Sequence, residues 1–277
     1  CAGLIAAVGN NKIGVTGIAP NCKIIPVRVI LGEPVPTDHF AKAINWAWKE
    51  GKADILSNSW GVGGELNNIT KEAIDAAIDL GRNGKGCPVL FASGNENTKV
   101  SNPAEYSRVI AVGAVNMCDE RKRSSNNPNE VNEGNSTDPL GVSCDQEGHW
   151  GSNYGAGLDI AAPSTWIIST DISGGRGYEK GDYNTKFGGT SASCPIAAGV
   201  MALILSVNPN LTEKDARFIL ESTCDKAGGY SYKDNIAQPN GTWNENLGYG
   251  RVNAHQAVLK ARTYIGQADD YELSLYA

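Results

Sequence analysis

The chain has 277 residues, with 30 acidic side chains against 24 basic ones and a formal charge of -6, a balance that argues against a protein built to grip nucleic-acid phosphates. A composition of 41% hydrophobic and 19% charged residues with 33 glycines describes a compact, loop-rich globule of one large domain, not a disordered or fibrous chain. The longest dense apolar run, Ile196–Leu205, is about half of a bilayer span, so no membrane crossing is expected.

Residues 23–30, Lys-Ile-Ile-Pro-Val-Arg-Val-Ile, read as a strand. Residues 37–50 place Phe40, Ala43, Ile44, Ala47 and Trp48 on one helical face. A strand at 54–59 follows, and from Asn68 the positions Ile74, Ala77, Ile78 and Gly81 again repeat at helical spacing. Residues 88–93 and 109–115 are short, continuously apolar strands. Such runs between helices predict a parallel sheet covered on both faces. Residues 116–151 are rich in Asn, Ser, Asp and Glu and read as an exposed insertion that decorates the surface. The sheet resumes at 158–162, and residues 190–208 form a helix apolar on nearly every side, which must lie inside the fold. Thr212 with Asp215 three residues on opens another helix as an approximate capping box, and residues 252–265 supply the last one.

Seven cysteines, none spaced as CxxC, argue against structural zinc, and the odd count leaves at least one unpaired. Cys118 and Cys144 bracket the polar insertion; a disulfide between them is one outcome and free thiols the other, with secretion as the precondition of the first. Sequons at Asn68, Asn135, Asn210 and Asn240 are compatible with secretion and also arise by chance in an Asn-rich chain. Cys1 stands where an initiator Met would, with no targeting pattern, and reads as a cut.

In an open α/β sheet the site lies beyond the carboxyl ends of the strands. Three segments follow those ends: Ser59-Trp60-Gly61, Gly94-Asn95-Glu96, and Gly188-Gly189-Thr190-Ser191-Ala192-Ser193-Cys194-Pro195 at the start of the buried helix. A serine there sits among free backbone N–H groups at the positive end of the helix dipole, which suits a nucleophile whose attack creates an oxyanion. Ser191 is that candidate; the bland alternative is a helix cap.

Gly-Thr-Ser-x-x-x-Pro followed by Ala197-Ala198-Gly199 closely resembles the nucleophile segment of subtilisin-like serine peptidases. The likeness extends to Ala92-Ser93-Gly94-Asn95, to Ser59-Trp60-Gly61, to residues 109–114, to Asp159-Ile160-Ala161-Ala162-Pro163, and to residues 1–7, which resemble the helix after the catalytic histidine. It implies a three-layer, doubly wound α/β sandwich with a mostly parallel central sheet. It also implies Ser191 as nucleophile, with the Asn95 amide and the Ser191 N–H as oxyanion donors. Ser59, Trp60, Gly61 and Gly94 would bind the substrate backbone as an added strand. Glu96 and Ser101 would fall near the S1 pocket, with some tolerance of basic residues there, and Asn102-Pro103 sits where the family often carries a cis bond. Asn10–Val15 resembles the family's calcium loop, so that Asn11 would give a side-chain oxygen and Val8, Ile13 and Val15 carbonyls to a structural Ca2+; a polar turn is the plain alternative.

The family's Asp segment and its His-Gly-Thr are absent from the sequence. His39, His149 and His255 follow no strand end, and Asp54 and Asp159 begin strands, at the wrong end of the sheet. In the family the Asp-bearing strand lies mid-sheet, between those matching 23–30 and 54–59 here. Its loss would leave buried edges unpaired. One central strand, with the His and Asp, is therefore expected from a missing N-terminal segment or companion polypeptide. The expected function is a secreted serine endopeptidase of subtilisin type, with no nucleic-acid or membrane partner. The alternatives are a catalytically inactive pseudoprotease that binds peptides and an acyl-transferring, macrocyclase-like variant.

Overall fold

The computed structural model describes residues 1–30, 36, 38–124 and 142–265. The sequon at Asn135 and the middle of the polar insertion lie outside these residues.

A short helix, α1 (Ala2–Ala6), opens the described chain, and α2 (His39–Asn45) runs on through a π-helical turn at Trp46–Glu50. Four strands, β1 (Leu56–Asn58), β2 (Val89–Ala92), β3 (Ile110–Val115) and β4 (Ile160–Pro163), pair in parallel in that order. Helix α3 (Asn68–Gly84) starts on the Asn67 side chain, which accepts from Thr70 N–H, and crosses from β1 to β2. Because both faces of the sheet are covered, its strands are apolar on consecutive residues. Leu90, Ile110 and Val112 face one core, while Val89, Phe91 and Ala111 face the other. The first core is closed by α4 (Thr190–Val207), α5 (Glu213–Ser222) and α6 (Ala254–Thr263), and the second by α2 and α3. This is a three-layer α/β fold.

Helix α4 is long and apolar enough to cross a membrane, yet 67% of it is buried inside the fold, with Met201 and Ile204 fully enclosed. The cap of α5 is a full capping box between Thr212 and Asp215. Two antiparallel hairpins, β5 (Ile167–Thr170) with β6 (Tyr183–Phe187) and β7 (Lys233–Asn235) with β8 (Gln238–Trp243), have no counterpart in the sequence reading. The first projects beside the start of α4. Their short, polar strands carry no apolar alternation.

Two expectations are corrected. Residues 23–30 form no strand, and Ile24, Ile25 and Ile30 are 40%, 39% and 55% exposed. A strand needs a neighbour, and β1 is the edge of the four-stranded sheet. Between the two runs lies a groove of about 970 Å³ whose lining includes Ile5, Ile24, Val27, Ile55, Ala198 and Leu205. The insertion is not merely exposed decoration either. Its described ends hold Arg121, Lys122, Arg123, Ser143 and Asp145 buried, and Cys118 is disulfide-bonded to Cys144. Composition hid this, because the charges are buried by pairing: Lys122 with Asp145, and Arg123 with Glu120.

At the opposite end of the sheet from the candidate site, the buried Asp159 accepts from Ala111 N–H at 2.7 Å and from Arg217 at 2.9 Å. Arg217 also pairs with Glu221 at 2.7 Å. Arg217→Met leaves two buried carboxylates facing each other and is expected to cost about 3–5 kcal/mol, read as a lower denaturation midpoint. Burial pushes the Glu221 carboxyl up to about 7 against the pull of a guanidinium it shares with Asp159. An unfolded Glu titrates near about 4.3, so between that value and about 7 the unfolded chain releases a proton that the folded chain keeps. Glu221 therefore contributes most stability below that window and loses its contribution as pH rises through it; a higher Tm at pH 5 than at pH 8 is the expected mark.

Candidate active site

Gly188 and Gly189 lead into α4, and Gly189 takes a φ of 82°, a left-handed conformation that favours glycine. A Cβ on Gly189 would stand 3.4 Å from both Nδ2 and Oδ1 of Asn95. Asn95 comes from the loop after β2. Its Oδ1 accepts from Thr190 N–H at 2.8 Å and from the Thr190 hydroxyl at 3.1 Å, while Thr190 Oγ1 accepts from Gly94 N–H at 3.2 Å. These bonds fix which end of the amide is oxygen and leave Nδ2 without a partner among the described residues. Ser191, the second residue of α4, is half-buried, and among the described residues neither its N–H nor its hydroxyl has a partner. Two free donors thus stand beside a free hydroxyl at the positive end of a buried helix.

The helix is anchored at this end by an unusual device. Pro195, four residues past Ser191, has no N–H to give the Ser191 carbonyl. The Ser59 hydroxyl donates to that carbonyl instead at 3.0 Å, joined by the Cys1 thiol at 3.4 Å. Ser59 therefore ties the segment after β1 to the nucleophile turn. The Trp60 indole packs away from the cleft: it stacks on Phe40 at 4.4 Å, meets Phe91 edge-on and donates to Asn58 Oδ1. Only the backbone of Trp60 and the exposed Gly61 remain for a substrate strand.

Gly94, Glu96 and Ser101 converge as the sequence suggests. A Cβ on Gly94 would stand 2.7 Å from Glu96 Oε2 and 2.8 Å from Ser101 Oγ. Glu96 is tethered, however: Oε2 accepts from Asn95 N–H at 2.9 Å and from Asn153 Nδ2 at 2.8 Å. Asn153 also accepts from Glu96 and Thr98 N–H through Oδ1. Sequence reasoning passed over Asn153; Gly151-Ser152-Asn153 after the polar insertion was the available signal. The Asn102-Pro103 bond is cis.

The candidate calcium loop does not make a cation site from its own residues. Asn11 Oδ1 accepts from Ile13 N–H at 3.0 Å, Lys12 sits in the same turn, and Val8 and Ile13 are exposed. Among the described residues no cluster of three metal-ligating side chains occurs, and a hard dication wants carboxylates as well as neutral oxygens. Nor does a general base appear. No histidine or carboxylate among the described residues reaches the Ser191 hydroxyl. His39 is half-buried at the start of α2 with an unpartnered Nε2, and His149 and His255 are exposed. Asp159 is committed to Arg217 and Asp54 faces Arg82 at 3.9 Å.

The profile of the subtilase family matches residues 1–250. A protein named calcium-dependent protease from Nostoc sp. is 37% identical over 286 residues, covering 93% of this chain and 39% of that protein. An extracellular protease from Xanthomonas campestris is 31% identical over 272 residues, covering 94% and 39%. This chain thus spans about two fifths of the length of these curated relatives. Among solved structures, proteases from Pseudoalteromonas arctica superpose with a TM-score of 0.65 at 26% identity, covering 94% of this chain and 69% of theirs. With the Gly-Thr-Ser turn, the paired Asn95 and the covered parallel sheet in the family's order, the chain belongs to the subtilase family.

Proposed function

We propose that this chain is the nucleophile-bearing portion of a serine endopeptidase of subtilisin type, completed by a polypeptide, outside these 277 residues, that supplies the His and Asp. The observation that carries the reading is the lock between Thr190 and Asn95, which turns Asn95 Nδ2 toward the Ser191 turn with no partner among the described residues, beside the likewise unpartnered Ser191 N–H and hydroxyl. A peptide lies along Ser59, Trp60 and Gly61 as an added strand, its scissile carbonyl over Ser191. Ser191 Oγ forms a bond to that carbon, its proton passes to the imidazole, and the oxygen takes up negative charge toward the two donors. The C–N bond breaks, the amine leaves with the imidazole's proton, and water hydrolyses the acyl-Ser191 ester by the same steps. Without a base the hydroxyl stays protonated and unreactive.

The groove between residues 22–29 and β1 supports the companion. An apolar strand laid there gives ladder partners to the edge of β1 and to the 23–30 run, and covers the exposed Ile24 and Ile25. Peptide or protein is the substrate class; neither nucleic acid nor a membrane is a partner. The disulfide and the extracellular relative support secretion. The calcium-dependent relative supports a structural Ca2+, with Asn11 and the carbonyls of Val8, Ile13 and Val15 joined by a carboxylate from the companion. Removing divalent cations from the completed enzyme is then expected to lower its Tm by about 5 °C or more; an unchanged Tm excludes the ion.

The test is co-expression of residues 1–277 with a polypeptide carrying the family's Asp and His-Gly-Thr segments, followed by mass analysis of a quenched peptide with and without an added amine. The expected result is hydrolysis by the pair and none by the single chain. Binding without cleavage marks the pseudoprotease reading, and an amine-ligated product marks the acyl-transfer variant.

A further inference from the structure

The insertion does more than cover surface: it places one carboxylate against the nucleophile turn. Its returning end is held rigidly. The Cys118–Cys144 bridge closes it, Lys122 Nζ donates to the carbonyls of Arg123 and Glu147 at 2.6 and 2.5 Å, and Trp166 Nε1 donates to the Asp145 carbonyl at 2.8 Å. From that base Glu147 reaches Gly188, three residues before Ser191. A Cβ on Gly188 would stand 3.1 Å from Glu147 Oε1 and 3.7 Å from the Trp150 ring.

The order of contacts says which end of a substrate Glu147 meets. Ser101 and Gly94 contact each other on the side of Gly61, Gly94 leads to Asn95, Asn95 faces Gly189, and Gly188 touches Glu147. Along this chain of contacts the acyl-side residues Ser101 and Gly94 precede the oxyanion donor Asn95 and Glu147 follows it, while Gly151 of the same returning end donates to the Asn95 carbonyl at 3.3 Å. A peptide whose acyl side lies along Ser59–Gly61 leaves the centre past Gly188 and Glu147. Lys122 and Asp145 form a closed pair, both side chains 0% exposed, so Glu147 carries the net negative charge of the trio. Its Oε2 is buried without a hydrogen-bond partner. Burial raises its pKa, with the Trp150 indole and Lys122 opposing and Asp145 adding to the rise; a cation arriving beside it relieves that strain.

We propose that Glu147 is a specificity-determining residue on the leaving-group side of the cleft, favouring substrates with lysine or arginine immediately after the scissile bond. The inference rests on the proposed peptidase function. A lysine ammonium there pairs with the carboxylate through Oε1, the oxygen that adjoins Gly188, whereas an acidic side chain meets a like charge in a partly dry wall.

The test uses the completed enzyme and quenched peptides identical up to the scissile bond, with Lys, Ala or Glu after it, alongside anisotropy binding of the same peptides. The expected kcat/KM ratio of Lys over Glu is about tenfold. Glu147→Gln should bring it within about twofold, with the acyl-side preference and Tm unchanged, and Glu147→Lys should invert it. An active enzyme whose ratio is unmoved by Glu147→Gln overturns the inference and leaves the peptidase reading intact. Lys-selective binding that is lost in Glu147→Gln but never accompanied by cleavage supports the inference and overturns the peptidase reading.

Discussion

Ser191→Ala in the completed enzyme is expected to lower kcat by about 10⁶, the scale found for the nucleophile in subtilisin, while leaving Tm within about 1 kcal/mol equivalent of the parent. The effect is large because acyl-enzyme formation has no substitute nucleophile at the turn. Thr190 Oγ1 is engaged by Gly94 N–H and Asn95, and Ser193 Oγ is buried and donates to the Ala162 carbonyl at 2.9 Å. The fold is untouched because the Ser191 hydroxyl makes no bond among the described residues and alanine is a good helix former. Steady-state kinetics with parallel thermal melts check both halves. Near-parental activity in the alanine variant removes Ser191 from the mechanism.

The second large effect concerns Asn95. Asn95→Ala is expected to reduce kcat by about 10²–10³ with KM little changed, again the scale known for this donor in subtilisin. That substitution alone is ambiguous, because Asn95 Oδ1 also holds Thr190. Asn95→Asp separates the roles: it keeps an acceptor for Thr190 N–H and hydroxyl but replaces the Nδ2 donor by an oxygen. A similar or greater loss of kcat with parental Tm assigns the effect to oxyanion donation. Recovery of kcat in the Asp variant assigns it to anchoring the turn.

The helices and inner strands were legible because their signals are local. Ile44, Ala47, Ile74, Ala77 and Ile78 recur at helical spacing and do line one core. The apolar runs of β2 and β3 are continuous because helices cover both sides of the sheet. Residues 23–30 failed for the opposite reason: strand structure belongs to a pair, and an Ile-rich run with no neighbour stays out of the ladder. The ends of the insertion were misjudged because Arg121, Lys122 and Arg123 look like surface until their partners are known. At the site, Ser191 and Asn95 stood out through a dense motif, whereas Asn153 and Glu147 reach it only through contacts across the fold, with nothing distinctive beside them in sequence. The groove beside β1 is likewise a property of the assembled layers.

The most direct measurement is intact mass of the chain after reaction with a fluorophosphonate, alone and together with the His- and Asp-bearing companion, with the adduct located by peptide mapping. The account predicts one adduct, on Ser191, formed rapidly in the pair and negligibly in the single chain. A pair that cleaves peptides while Ser191 stays unmodified, or an adduct on another residue, contradicts it.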